Sequence, residues 1–271
     1  MGLGWPLENP PDSDLSWDQY ERLATKKYGR SALSRVRNLH DKVRPNDLIW
    51  TRDEGGKYYL AKVRSAWKYL DTEESRKADI TNIVGCQFQP VPHADDVPGK
   101  IVAHFRARMS IQRVTEPTST SYSRWLWNYL TESQDYSVEP GDSDNLFALL
   151  GSETTEDVVF IYLQMNGWLI LPNSRKADTM RYEFTAKKRH ADVTAVVQVK
   201  TGNTPLNVDD YANADDHIFL FQANGNYKGK NLKGIDCLRP SDMEQFIREH
   251  IQIMPGVVQK WVKYLDEKDT R

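Results

Sequence analysis

The chain has 271 residues, with 36 Lys and Arg against 38 Asp and Glu and a formal net charge of −2. That balance excludes a protein that coats nucleic acid through overall positive charge, so any affinity for a polyanion has to come from local patches. The two Cys, Cys86 and Cys237, lie far apart and lack metal-ligand spacing, so neither a disulfide framework nor a zinc site is expected, and a reducing, cytoplasmic compartment is.

No apolar run approaches the length of a membrane span, and residues 1–15 are rich in Pro and Asp where a signal peptide would be apolar, so no membrane partner is expected. The length allows one large or two ordinary domains. Residues 17–42 read as helical, with Ser16 or Ser31 as N-caps and Leu33, Val36, Leu39 and Val43 recurring at helical spacing. Pro45 then stops the helical pattern.

Residues 46–63 read as a strand, a Gly55-Gly56 turn and a second strand. Further strands are expected at 66–70, 80–88 and 100–105. The run Asn46-Asp47-Leu48-Ile49-Trp50, followed by Tyr58-Tyr59-Leu60-Ala61-Lys62-Val63, resembles the opening hairpin of the PWWP and Tudor class of SH3-like barrels. Asn46 stands where that class has Gly, and Tyr58, Tyr59 and Leu60 stand where it has Trp-Trp-Pro. The resemblance implies an aromatic reader pocket at Trp50, Tyr58, Tyr59, Trp67 and Tyr69, suited to methylammonium groups or a stacked modified base. Aromatics alternating in a small barrel also serve simply as core. Lys62, Arg64, Lys68, Arg106, Arg108 and Arg113 interleave with these aromatics and would suit a DNA-facing surface.

Residues 115–151 read as an ordered connector: loop chemistry at 115–121, a short aromatic helix at 122–130, then an acidic Pro-Gly loop. After it come a helix at 154–165, a short apolar strand at 168–171, a strand at 179–185 and a Val-rich strand at 195–202. Period-2 alternation puts Arg181, Glu183 and Thr185 on one face of the second of these strands, with Tyr182, Phe184 and Ala186 on the other. In the last strand Gln198 and Lys200 share a face with Thr194 and Val196. The intervening 187–192 is short enough for a hairpin turn centred on His190 and Ala191, which brings Glu183 opposite or next to Gln198. One carboxylate, one amide and one ammonium then converge on one edge of a small sheet.

These residues resemble the PD-(D/E)XK nuclease superfamily, in particular its Mrr-like restriction endonuclease branch. The matching positions are Glu156 on the leading helix, Glu183 on the second strand and Gln198-Val199-Lys200 on the third, with 207–215 as the helix that follows. Glu183 replaces the more usual Asp, and Gln198 matches the Mrr-like variant of the second acid. The resemblance implies Mg2+, or Mn2+ in its place, held by Glu183, Gln198 and the Val199 carbonyl. It also implies that Lys200 orients the attacking water and that Glu156 holds a water from the helix side. Each position has a plainer reading. Glu156 can be a helix-start acid in a Thr154-x-x-Asp157 capping box, and Glu183 with Lys200 can be a cross-strand ion pair. Lys187, Lys188, Arg189 and His190 can be solvated turn charges, or can meet phosphates.

Beyond this, strands are expected at 217–221 and 234–238, a capping box at 241–244 opening a helix, and a last amphipathic helix at 257–265. The six His are scattered, and neither a P-loop nor a dinucleotide fingerprint occurs. The expected organisation is a helical lead at 1–45, an SH3-like barrel at 46–114, a connector at 115–151 and a nuclease-like α/β domain at 152–271, its central mixed sheet flanked by helices. The expected function is a metal-dependent DNA endonuclease of restriction type, directed to modified DNA by the barrel and dimeric where both strands are cut. The alternatives are a non-catalytic DNA-binding protein on a degenerate nuclease scaffold, and a reader of modified peptides.

Overall fold

The computed structural model describes residues 1–10, 14–106, 110–138, 145–171, 182–212 and 216–269. Two compact units emerge: 1–97 with 104–115 and 120–139, and 98–103 with 116–119 and 140–271. The division differs from the expected one, because the helical lead and most of the connector belong to the same unit as the first sheet.

In the first unit, β1 (Gly2–Leu3) precedes α1 (Trp17–Tyr28) and α2 (Ser34–Lys42). The Ser16 side chain accepts from Gln19 N while the Gln19 side chain accepts from Ser16 N, so the N-terminal amides of α1 are satisfied locally. α2 begins instead after Leu33, without a side-chain cap. The strands β2 (Leu48–Arg52), β3 (Tyr58–Tyr69) and β4 (Asn82–Pro90), with α3 (Glu73–Lys77) before β4, complete a curled, half-barrel antiparallel sheet of order β1-β4-β3-β2. The two expected strands at 58–63 and 66–70 are a single strand interrupted by a bulge. Val63 pairs with Cys86 and Trp67 with Val84, so residues 64–66 stand against Gly85 alone. A Cβ on Gly85 would lie 2.6 Å from Ser65 Oγ, the group to which Gly85 N donates at 3.0 Å, so the bulge requires glycine there.

α4 (Gly99–Arg106) replaces the expected strand at 100–105. Ile101, Ala103 and Phe105 imitate strand alternation, yet Ile101 and Phe105 are also spaced by one helical turn. α5 (Pro117–Thr131) is longer than expected and starts in what reads as loop. Pro117 suits a first helical position, and the Glu116 carboxylate accepts from Thr118 N at 2.9 Å and Ser119 N at 2.6 Å.

The second unit contains α6 (Leu146–Leu149), α7 (Ser152–Met165), β5 (Trp168–Leu171), β6 (Phe184–Lys188), β7 (Thr194–Lys200), β8 (Leu206–Asn207), β9 (His217–Gln222), β10 (Tyr227–Lys228), β11 (Ile235–Leu238), α8 (Pro240–Glu249) and α9 (Gly256–Asp269). Its mixed sheet has the order β11-β9-β7-β6-β5. β5, β6 and β7 are antiparallel, while β7, β9 and β11 run parallel. The expected helix at 207–215 is not formed within the described residues, where β8 is followed by a short 3-10 turn, Val208–Tyr211. α8 opens on Arg239 with Pro240 at its start, so the expected capping box at 241–244 is replaced by a proline start.

β7 is buried on both faces. On one face Val196, Ile218 and Leu220 pack against Leu206, Val208 and Tyr211. On the other Phe184 meets Phe160 of α7, and Phe221 meets Phe147 of α6. Burying a large apolar side chain in this way stabilises the fold by about 1.5–3 kcal/mol.

Candidate active site

The register of β6 and β7 positions the site. Phe184 pairs with Val197 and Lys187 with Thr194, and Glu183 N donates to Val197 O at 2.9 Å. His190 takes a left-handed φ of 65° in the connecting turn, where the hairpin centre was expected. Continuing the register by one residue brings Glu183 opposite Gln198. Strand structure begins only at Phe184, so alternation fails just before it: Tyr182 packs with Val196 and Tyr211, on the face away from Phe184. The corresponding face of the expected strand, with Arg181, lies outside the described residues.

Gln198 is 4% exposed, and its Nε2 donates to Glu183 Oε1 at 2.6 Å and to Val199 O at 3.2 Å. Lys200 Nζ stands 3.8 Å from the same Glu183 oxygen. The Glu183 and Lys200 side chains keep 33% and 48% of their surface, so an amide with almost no access to water anchors a carboxylate that retains it, beside an ammonium that does too. A buried amide is tolerated only when its polar atoms are paired.

The chemistry of these donors fits a hard divalent cation. Glu183 supplies carboxylate oxygens, Val199 a carbonyl, and Gln198 an amide oxygen. Glu183 Oε1 and Val199 O converge on one point, which the Gln198 nitrogen takes; the amide has to turn over to present its oxygen there. Among the described residues no group of three or more His, Cys, Asp and Glu converges, so the amide and the carbonyl are indispensable to any such site.

Glu156 is half-buried at the fifth position of α7. The capping-box reading of Thr154 fails, because the helix begins two residues earlier with Gly151 as its N-cap.

The cationic run divides between two faces. Lys187 and Lys188 belong to β6 and not to the turn. Lys187 is exposed and shares the face of Thr185 and Glu183, about 13 Å along the strand from the latter. Lys188 turns to the opposite face, where Nζ donates to Asn166 O at 3.0 Å and lies 4.8 Å from the Trp168 ring. Arg189 is exposed in the turn. Arg106 is an exposed residue of the first unit, and Arg108 lies outside the described residues.

The five aromatics proposed for a reader pocket do not form one. Trp67 and Tyr69 are core partners of Tyr20, at ring separations of 5.4 and 5.2 Å. Their polar atoms are committed, the Trp67 Nε1 donating to Asn82 Oδ1 and the Tyr69 hydroxyl accepting from Leu7 N. Trp50 donates to Ser123 Oγ at 2.9 Å, Tyr58 packs on Phe105, and the Tyr59 hydroxyl donates to Asp53. Lys62, offered as DNA-facing, is buried against Asp135. Alternation within a strand could not reveal the bulge after Val63 or the helices that cover each face.

Sequence reading missed Gln222, which is fully buried and stands beside Lys200 in the parallel register of β7 and β9. The available signal was a Gln closing an apolar strand, Ile218-Phe219-Leu220-Phe221-Gln222, much as Gln198 interrupts the Val-rich run. Compared with known proteins, the chain matches no family model, no curated protein and no solved structure.

Proposed function

We propose that the second unit is a divalent-metal-dependent phosphodiesterase that cuts DNA. The observation that carries this reading is the convergence of Glu183, Gln198 and Lys200 from adjacent antiparallel strands, with 2.6 and 3.8 Å separations to one carboxylate oxygen. Glu183, Gln198 and the Val199 carbonyl would hold Mg2+ or Mn2+, which when bound supplies Lewis-acid polarisation of a phosphoryl oxygen. Gln198 sets the position of the Glu183 carboxylate from inside the sheet. Lys200, with its ammonium open to solvent, balances negative charge that builds on the phosphoryl group during attack by water. Lys187, further along the same face, is placed to meet a neighbouring phosphate. Cutting both strands with one site per chain calls for two copies.

One observation favours a second reading, a DNA-binding scaffold without catalysis: as the amide stands, Gln198 satisfies both oxygens itself and no cation is needed for the fold. Incubation of the purified chain with duplex DNA and Mg2+ or Mn2+, beside a Lys200→Ala variant and a chelator control, separates the two. Metal-dependent cutting that Lys200→Ala loses by a hundredfold or so supports the hydrolase. Retained DNA binding with no cutting under either metal supports the scaffold.

A further inference from the structure

A buried amide closes β9. Gln222 is fully buried and stands beside Lys200 in the parallel register of β7 and β9, about 5 Å away across the sheet. Its Nε2 donates to Gly202 O at 2.6 Å and Thr204 O at 3.3 Å, and its Oε1 accepts from Asn224 N at 2.7 Å and Asn226 N at 3.0 Å. An amide has two donor hydrogens and two lone pairs on its oxygen, so all four are used. One half of the side chain fixes the turn at 223–226. The other half fixes the loop at 201–205, which carries the chain from Lys200 to β8. The other side-chain bonds between these loops, from Asn224 Nδ2 to Asn203 Oδ1 and from Asn226 Nδ2 to Asn203 O, join exposed residues and compete with water.

Lys200 depends on that loop because little else holds it. Among the described residues its ammonium has one ionic partner, Glu183 Oε1 at 3.8 Å, well beyond the length of about 2.7–2.9 Å that marks a charge-assisted hydrogen bond. Lys62 is the contrast, at 2.6 Å from Asp135. A flexible four-carbon stem without a short bond at its tip is aimed by its backbone. That backbone is tied on both sides of Thr201: Lys200 O accepts from Ala223 N at 2.9 Å, and Gly202 O from Gln222 Nε2. Fixing both peptides fixes the direction in which the Lys200 side chain leaves β7.

We infer that Gln222 positions Lys200: it holds the 201–205 loop so that the ammonium stays beside Glu183, where negative charge builds on the phosphoryl group. The catalytic part of this inference rests on the DNA-cutting reading of Glu183, Gln198 and Lys200. Gln222 is a positioning residue and acts only through Lys200.

Gln222→Glu separates the two halves of the clamp. It keeps the oxygen that accepts from Asn224 N and Asn226 N, and loses one or both of the hydrogens given to the 201–205 loop. Cutting of a labelled DNA duplex with Mg2+ is measured, per molecule folded by circular dichroism, in four full-length chains: wild type, Gln222→Glu, Lys200→Ala and the double variant. Gln222→Glu is expected to lower kcat by about tenfold or more with KM for DNA within about twofold, because a misplaced charge costs rate and not binding. Added to Lys200→Ala, it should cost less than about twofold, since no ammonium is left to misplace. Equal losses in both backgrounds, or no loss in the wild-type background, would overturn the inference. Where Gln222→Glu does not fold, Gln222→Met, which removes the bonds without adding a buried acid, takes its place. A nuclear Overhauser contact between the Lys200 and Glu183 side chains reads the positioning without catalysis. A wild type that cuts no DNA, with a contact that weakens in the Gln222 variant, removes the hydrolase and leaves the hold on Lys200 standing. A contact that the variant leaves unchanged overturns the positioning whether or not DNA is cut.

Discussion

Lys62 on β3 and Gln198 on β7 are both polar, both on interior strands of their sheets and both nearly sealed from solvent, at 5% and 4% exposure. Around Lys62 the buried group is itself the charge, and its carboxylate partner Asp135 keeps 32% of its surface. The Lys62 Nζ stands 2.6 Å from Asp135 Oδ2, that oxygen also accepts from Trp127 Nε1 at 3.0 Å, and the ammonium lies 4.9 Å from the Tyr136 ring. Around Gln198 the buried group is a neutral amide, and the two opposite charges beside it, Glu183 and Lys200, retain contact with water. Buried polarity therefore marks two different things. Where the buried group is a charge neutralised by its own partner it fixes packing, and where a neutral buried group holds a charge that reaches solvent with capacity to spare it can support chemistry.

The largest effect expected from this contrast is on activity. Glu183→Ala should lower metal-dependent DNA cleavage by about a hundredfold or more, the scale seen when one group that stabilises charge is removed. Asp135→Ala, corrected for the folded fraction, should leave the cleavage rate per folded molecule unchanged. Equal losses in both would erase the distinction between the two sites.

Stability should respond in the opposite sense. Lys62→Ala leaves Asp135 and Trp127 without their cation and should lower the melting temperature by several degrees. Lys200→Ala removes only a half-exposed pair and should cost no more than about 1 kcal/mol. Thermal melts of the two variants side by side measure this directly.

A third prediction sharpens the account of the second sheet. Tyr227 accepts from Gln222 N at 2.7 Å, and its hydroxyl lies 2.7 Å from Leu238 O. Tyr227→Phe strands those buried groups, at a cost of about 1–3 kcal/mol in denaturant unfolding. Burial also pushes the Tyr227 hydroxyl pKa above the ordinary tyrosine value. The unfolded chain then releases its proton first, so the contribution of Tyr227 is intact below about pH 10 and is lost as pH rises beyond it. The stability gap between wild type and Tyr227→Phe should narrow on that alkaline side; a gap that widens there would contradict the assignment.

In the first unit the sign reverses. The Lys62 hydrogen bond, then that of Trp127, holds the Asp135 carboxyl below the usual aspartate range. The stabilisation from Asp135 is therefore complete above its unfolded pKa and disappears as pH falls through the lower folded value. Melting temperatures of wild type and Asp135→Asn should differ at neutral pH and converge only in strong acid; convergence near pH 5 would be evidence against the Lys62–Asp135 pair. The smallest effect concerns the dispersed aromatics: Trp50→Ala should leave the ratio of affinities for methylated and unmethylated DNA unchanged, and a selective loss on methylated DNA would restore the pocket.

How far the sequence could be read follows from how local each determinant is. The hairpin about His190 and Ala191 sets the offset of Glu183 and Gln198 by counting alone, and the strands at β9 and β11 and the helix after Pro255 announce themselves through apolar runs and breakers. The continuous strand β3 was hidden because Arg64 and Ser65 look like a turn, while the bulge that accommodates them depends on Gly85 across the sheet. α4 was hidden because Ile101 and Phe105 satisfy both a helical and an alternating pattern. The Gln222 clamp is less legible still, since its four hydrogen bonds reach loops up to 20 residues away, and only the folded chain brings them together.

The most direct test of the contrast is a calorimetric titration of Mn2+ into the full chain, run beside Glu183→Ala and Asp135→Ala. One binding site in the wild type that Glu183→Ala loses and Asp135→Ala retains is the predicted result. No binding to the wild type, or binding that Glu183→Ala leaves intact, would contradict the assignment of Glu183, Gln198 and the Val199 carbonyl as a cation site.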